Sequence, residues 1–412
     1  MTIDTLPKHA AHPWFEVRDD QLWLGGKSLT QIAAQVGRTP FYAYDRQVMA
    51  RKVALLRTTL PRGVHLHYAI KANPMPAVVK HLASLTDGLD VASAAEMQVA
   101  LDVGTDPATI SIAGPGKSDQ ELARATAAGI TINVESEREL RVLTDIANQT
   151  GNRPNVAIRV NPDFELKTSG MKMGGGPKQF GIDAEQVPQV LRSLAALPLE
   201  FRGFHIFSGS QNLRAEAIVE AQQKSVALAI ELARHAPAPV RSLNIGGGFG
   251  IPYSPGEQLL DLGPIAANLT ELVPHVAKHF AQAELVLELG RYLVGEAGVY
   301  VCRVIDRKIS RGQVFLITDG GLHHHLAASG NFGQVIRKNY PVIVGNKVRG
   351  EQREVASAVG PLCTPLDFLA DRMEMAKADV GDLIVVLQSG AYGLTASPLG
   401  FLSHPAPAEV LL

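Results

Sequence analysis

Between residues 64 and 290 one unit recurs: a short apolar strand, a polar or glycine-rich turn, then a helix. Eight such strands in about 220 residues predict a (β/α)8 barrel. A doubly wound sheet is the competitor, but eight units at this length favour closure. Past residue 298 the pattern changes to short β segments such as Val299–Val304, Val314–Thr318, Pro341–Val344 and Leu383–Leu387. Trp14–Val17 and Gln21–Leu24, joined by Arg18-Asp19-Asp20, also read as β. A chain of 412 residues is too long for one ordinary core. The expected organisation is an N-terminal segment, 1–40, joining a β domain; a barrel over 41–290; and a β-rich C-terminal domain over 291–412.

The barrel strands are expected at 64–71, 88–93, 109–114, 130–135, 155–161, 203–208, 241–246 and 284–289. Three helices open on S-x-x-E boxes, at Ser93–Glu96, Ser118–Glu121 and Ser136–Glu139, in which serine and glutamate each satisfy a free backbone N–H. Barrel chemistry gathers at the carboxyl ends of the strands. There the chain carries Lys71, then Asp90 and Ser93, Gly114-Pro115-Gly116-Lys117, Glu135, Arg159 and Asn161, His205, Ser208 and Ser210, Gly246-Gly247-Gly248, and Glu288 with Arg291. Any one of these suits a cap or a turn. Polar or glycine residues after every strand exceed what a merely stable barrel needs.

Lys71 closes a segment in which His65, His67, Ala69 and Lys71 alternate with Val64, Leu66, Tyr68 and Ile70. Asn73-Pro74 then stops the strand and can open a helix. An ammonium at the end of a largely buried strand has its pKa lowered unless it is paired. Such an amine suits a Schiff base with an aldehyde cofactor. The competing reading is a lysine leaning out to solvent.

The composition, 46% apolar and 19% charged with a net charge of −1, is that of a soluble globular protein. No block of like charge points to nucleic acid or a membrane surface. No apolar run approaches the roughly 20 residues of a membrane span, and MTIDTLPKHAAHPWFEV lacks the apolar region of a signal peptide. Cys302 and Cys363 are the only cysteines, so neither a disulfide framework nor zinc spacing is present. A reducing, cytoplasmic location is expected.

Eight motifs follow in order: His67-Tyr68-Ala69-Ile70-Lys71-Ala72-Asn73, Asp90-Val91-Ala92-Ser93, Gly209-Ser210-Gln211, Gly246-Gly247-Gly248-Phe249-Gly250, Glu288-Leu289-Gly290-Arg291, Asp319-Gly320-Gly321, Gly360-Pro361-Leu362-Cys363 and Gly390-Ala391-Tyr392. From residue 38 to the C-terminus the chain thereby resembles the fold type III (alanine-racemase-type) pyridoxal-phosphate decarboxylases, such as diaminopimelate and ornithine decarboxylases. The Lys172–Gly176 loop, His323-His324-His325 and Ser403-His404-Pro405 look like a bacterial subgroup found with exosortase and exopolysaccharide gene clusters.

The resemblance implies a barrel that binds pyridoxal 5'-phosphate and an α-decarboxylase that releases CO2 from an amino acid or a carrier-bound aminoacyl group. It also implies a homodimer with shared active sites. Lys71 would hold the cofactor as a Schiff base. Glu288 would keep the pyridine nitrogen protonated, making the ring an electron sink. Asp90 belongs to the same cofactor set. Backbone N–H groups of Gly246, Gly247 and Gly248 would cradle the phosphate, with Ser210, Gly290, Arg291 and Tyr392 completing its shell. A triple glycine alone is more often a turn, and its spacing is not the dinucleotide G-x-G-x-x-G. Cys363 would cross the dimer interface to protonate the carbanion or position the proton donor. Arg159 and His324 are expected at the substrate, and Cys302 in the core.

Three departures qualify the likeness. A histidine usually stacks on the pyridine ring three residues before the serine of Gly-Ser-Gln; here that position is Phe207, with His205 two residues earlier on the same face. The residue after the catalytic cysteine is usually acidic and reads a distal amine; here it is Thr364, which cannot pair with an ammonium as a carboxylate does. Three consecutive histidines suggest a metal, but on a strand only His323 and His325 would share a face and no Asp, Glu or Cys lies close by, so no metal is expected. The alternatives are a PLP racemase of the same fold, disfavoured by Cys363, and a non-catalytic PLP-binding protein, disfavoured by the β domain.

Overall fold

The structure, a computed structural model, describes residues 8–165, 170–332, 334 and 337–412. It divides into two compact units. Lys52–Ile251 and Leu260–Tyr292 form one; the chain up to Arg51, Pro252–Leu259 and Leu293–Leu412 form the other.

The first unit is a closed barrel of β1 (Val64–Ala69), β2 (Gly88–Val91), β3 (Ile110–Ile112), β4 (Thr131–Val134), β5 (Asn155–Asn161), β6 (Glu200–His205), β7 (Ser242–Gly247) and β8 (Glu284–Leu289). All neighbours are parallel, and the circle closes where Leu285 of β8 pairs with Val64 of β1. β6 runs three residues earlier than its apolar pattern suggests, and its register with β5 shifts between Phe201 and Gly203. His205 is its last residue.

Of the three capping boxes, only Ser118 and Glu121 make both bonds. Ser93 and Ser136 each cap an N–H three residues on. Their glutamates reach one residue further back, Glu96 to the N–H of Ala92 and Glu139 to that of Glu135, both at 2.8 Å. A side-chain cap contributes about 1 kcal/mol; here the glutamates also pin the segments leaving β2 and β4.

Barrel interiors are ordinarily filled by bulky branched residues. This one holds a cavity of about 540 Å³, lined by His65, His67, Asp90, Ser111, Asn133, Arg202 and Asn244 among others. Residues at its rim, such as Asp87, Arg241 and Glu284, sit at the amino-terminal ends of the strands, opposite Lys71.

In the second unit Gly298–Ser310 is a 13-residue strand. It pairs with Gln313–Thr318 and with Leu383–Val386. Phe41–Tyr44, placed by sequence at the start of the barrel stretch, lies in this unit instead. It runs antiparallel to Gly298–Val301 and parallel to Ala408–Leu411. All four of its side chains are buried, as expected of a strand covered on both faces. The core gathers Leu22, Leu24, Leu29, Ile32, Phe41, Val299, Val301, Leu383 and Val385. Among the described residues no helix is long and apolar enough to cross a membrane.

Candidate active site

β1 ends at Ala69, and one 3-10 turn, Ile70–Ala72, carries Lys71 off the strand. Ile70 and Ala72 are buried and anchor the turn, while the lysine side chain stays 40% exposed. The ammonium is paired: Nζ donates to Glu288 Oε1 at 3.1 Å. It also lies 5.3 Å from the centre of the Phe207 ring. Glu288 is buried on β8, and its second oxygen accepts from His205 Nε2 at 3.0 Å. Burial pushes the Glu288 carboxyl up, but the Lys71 ammonium and His205 outweigh it and hold the group well below the usual carboxylate range. His205 thus meets the site through Glu288, and Phe207 meets it at Lys71.

β7 runs into the glycine turn. Gly246 and Gly248 adopt φ of +69° and +76°. A Cβ on Gly247 would lie 2.3 Å from the carbonyl oxygen of Glu288, so only glycine lets the turn lie against β8. The N–H of Gly246 donates to Asn244 Oδ1 at 2.8 Å. Ser210 sits in a two-residue strand paired with Met171–Lys172. Gln211 ties that turn to the segment after the glycines, donating to the Ile251 carbonyl at 2.6 Å and accepting from its N–H at 3.2 Å. Gly290 and Arg291 follow β8 directly, with Arg291 half-buried.

Asp90 is buried on β2; its Oδ1 accepts from Ser111 Oγ at 2.7 Å and meets His67 Nδ1 at 3.2 Å. Arg159 lies in a buried charge network. It donates to Glu135 Oε1 at 2.8 Å and stacks over Phe180, and Lys117 Nζ lies 3.0 Å from Glu139 and 4.0 Å from Glu135. Burial raises the Glu135 carboxyl, but Arg159 and Lys117 outweigh it and hold it low. Glu135 also accepts from the N–H groups of Gly114 and Gly181, so it fixes the loops after β3 and β5. Glu96, read from sequence only as a cap, is an active-site neighbour too: burial raises its carboxyl, against the pull of Lys71.

Within the second unit Cys363 is exposed and Thr364 half-buried. Asp367 carries the acid next in line, but both oxygens are committed: Oδ1 accepts from the N–H of Leu322 at 2.6 Å and Oδ2 from that of Leu362 at 2.8 Å. It therefore clasps the turn after Asp319-Gly320-Gly321 to the Cys363 turn. Tyr392 is half-buried with φ of +52°. The three histidines form a turn rather than a strand. His324 accepts from Tyr300 OH at 3.2 Å and donates to the Pro405 carbonyl at 2.9 Å. His325 accepts from the Ala328 N–H at 3.2 Å and donates to Ser389 Oγ at 2.9 Å. Neither ring nitrogen of buried His323 has a hydrogen-bond partner. Among the described residues no three His, Cys, Asp or Glu side chains converge on a metal position.

The barrel residues fit a phosphorylated pyridine aldehyde. They supply an amine, a buried anionic carboxylate for a ring nitrogen, and a glycine turn open to a phosphate. Ser208 Oγ and His205 Nδ1 are buried without a hydrogen-bond partner beside these groups, which leaves polar capacity for a ligand.

Residues 46–295 match the family model described as pyridoxal-dependent decarboxylase, pyridoxal binding domain. The L-glutamyl-[BtrI acyl-carrier protein] decarboxylase of Niallia circulans is 38% identical over 379 residues, covering 90% of this chain and 88% of that protein. The diaminopimelate decarboxylase of Aquifex aeolicus is 34% identical over 404 residues, covering 97% and 93%. The solved diaminopimelate decarboxylase of M. jannaschii in complex with L-lysine superposes with a TM-score of 0.87 at 25% identity, covering 98% of this chain and 93% of that one. A family match over most of the barrel, and relatives alike along nearly the whole chain, agree with the site: the chain belongs to the pyridoxal-dependent decarboxylases of fold type III, and its cofactor is pyridoxal 5'-phosphate.

Proposed function

We propose that this decarboxylase acts on an amino acid or aminoacyl group whose far end is neutral, acidic or tethered to a carrier protein, rather than on a free diamine acid. The observation that carries this reading is the pair Thr364 and Asp367. The first is uncharged, and the second spends its carboxylate on two backbone N–H groups. An ammonium buried without a partner costs several kcal/mol. The Niallia circulans relative, named for a carrier-bound L-glutamyl group, is in keeping with it.

Bound pyridoxal phosphate supplies an electron sink for the pair left when the carbon–carboxylate bond breaks. Lys71 anchors it. Glu288, kept anionic by Lys71 and His205, would hold a proton at the cofactor's ring nitrogen. Phe207 would offer the cofactor an apolar aromatic surface but no hydrogen bond. Gly247 and Gly248, with Ser210, Gly290 and Arg291, would hold the phosphate, and the family resemblance adds Tyr392 to that set. Arg159 orders the substrate-side loops through Glu135. Cys363 delivers or positions the proton that replaces CO2.

The substrate reading is tested by assaying CO2 release from free amino acids and from carrier-bound aminoacyl thioesters. Free lysine, ornithine and diaminopimelate should be poor substrates, and Thr364→Asp should shift preference toward them. Turnover of diaminopimelate by the unmodified enzyme at a kcat/KM of about 10⁴ M⁻¹s⁻¹ or above overturns the reading.

The active form is a homodimer in which Cys363 serves the partner's barrel. Lys71→Ala and Cys363→Ala chains, each inactive, should then complement on mixing. Statistical pairing restores one site per heterodimer, so activity should recover to about a quarter of the wild-type sites. No recovery, with subunit exchange confirmed, places both residues in one chain's site.

A further inference from the structure

His67 is used by no step above, yet it stands between two carboxylates of the cofactor site. Its Nδ1 lies 3.2 Å from Asp90 Oδ1, and in the β1–β8 register it is the residue opposite Glu288. The same Asp90 oxygen accepts from Ser111 Oγ at 2.7 Å, and Ser111 Oγ accepts from Asn133 Nδ2 at 3.0 Å. A hydrogen-bonded chain thus crosses β4, β3, β2 and β1 and ends on this imidazole. The ring lies hard against β2: a Cβ on Gly88 would fall 2.5 Å from its Nε2, so glycine there sets where the ring can lie. The ring is not sealed from water. Its side chain is 13% exposed, and it lines the cavity that reaches the amino-terminal face of the barrel.

We propose that His67 is a positioning residue for the cofactor site: as a cation it fixes Asp90 and offsets the negative charge of Asp90 and Glu288. Asp90 and Asp87 face it from β2 and the turn before it, and Glu288 faces it from β8. His65 shares its strand, and Arg202, Arg241 and Glu284 lie around the cavity. Burial alone would keep the imidazole neutral, but the three carboxylates outweigh it and raise its pKa above the ordinary histidine value. The cavity's opening at the amino-terminal face gives the ring a route to protons separate from the end of the barrel that carries Lys71.

His67→Gln keeps a hydrogen-bond donor for Asp90 but carries no charge. In the holoenzyme it leaves Asp90 uncompensated, and nearby negative charge raises the proton affinity of cationic groups. The pH midpoint of the cofactor's visible band should therefore move up by about one pH unit, a tenfold change in proton affinity. His67→Gln combined with Asp90→Asn removes both charges and should bring the midpoint back. A role in packing alone predicts no such return. An unmoved midpoint in the single variant with cofactor bound, or a double variant shifted as far as the single, overturns the proposal. These readouts rest on Lys71 carrying the cofactor. NMR titration of carbon-labelled histidines in the wild-type protein does not. It should show an imidazole titrating above the model value of about 6.5, identified by its absence in His67→Gln or, if that variant fails to fold, by its downward shift in Asp90→Asn, which removes the carboxylate that raises it. If the His67 imidazole titrates at or below the model value, the proposal falls even if the cofactor assignment stands.

Discussion

Lys71→Ala is expected to lower kcat by a factor on the order of 10³ or more, since it removes both the covalent anchor and a positioned proton carrier. It should also abolish the pyridoxyl label that borohydride leaves on the wild-type enzyme. The loss should be chemical rather than structural. The lysine side chain is 40% exposed and its turn is anchored by Ile70 and Ala72, so the fold does not depend on it. Glu288 keeps His205 as a partner in the variant. Peptide mapping of the reduced wild-type protein decides the assignment, and a label on any other lysine refutes it. A variant with full activity would do the same.

Acidification should destabilise the β-rich unit through His323, His324 and His325. All three are buried, and burial is the main cause that brings their pKa values down to about 3, about 4 and about 3. The hydrogen bonds agree for two of them. A proton on His324 Nδ1 would displace the Tyr300 hydroxyl proton, and one on His325 Nδ1 would oppose the Ala328 N–H. In the unfolded chain each imidazole takes up a proton near pH 6.5. Their stabilising contribution is therefore complete above that pH and is lost as the pH falls toward the folded values. At pH 5 the loss is about 2 kcal/mol for each neutral, buried imidazole. Urea denaturation of the wild type at neutral pH and near pH 5 measures it, and a stability unchanged between the two would show that the cluster protonates freely when folded. His325→Gln should flatten the dependence by one proton.

The eight barrel strands were legible because each is a run of apolar residues closed by glycine or a polar cap, and Lys71, Asp90, His205 and Glu288 were legible as strand-end residues. The polar barrel interior was not. In an alternating strand such as His65-Leu66-His67-Tyr68, period two separates the faces but does not say which one turns inward. The continuous apolar run Phe41–Tyr44 carries no mark of the sheet it will join. Glu96 and Glu139 sit at the third helical position, so the spacing predicts a box, whereas the strand exits offered nearer donors. Three identical neighbours in His323-His324-His325 hide three different surroundings. The partners of the His324 ring are 24 and 81 positions away.

The pairing of Phe41–Tyr44 also has a consequence for synthesis. Tyr44 donates to Glu409, 365 positions further along, and Arg46 to the carbonyl of Leu412, 366 positions on. At a translation rate of about 5–20 residues per second, this apolar strand emerges tens of seconds before its last partner exists. All eight barrel strands are made in that interval and can pair while the chain is still on the ribosome. Until Gly298–Val301 and then Ala408–Leu411 have been made, this aromatic strand lacks its sheet partners, and it is the segment a holding chaperone would be expected to grip in that interval.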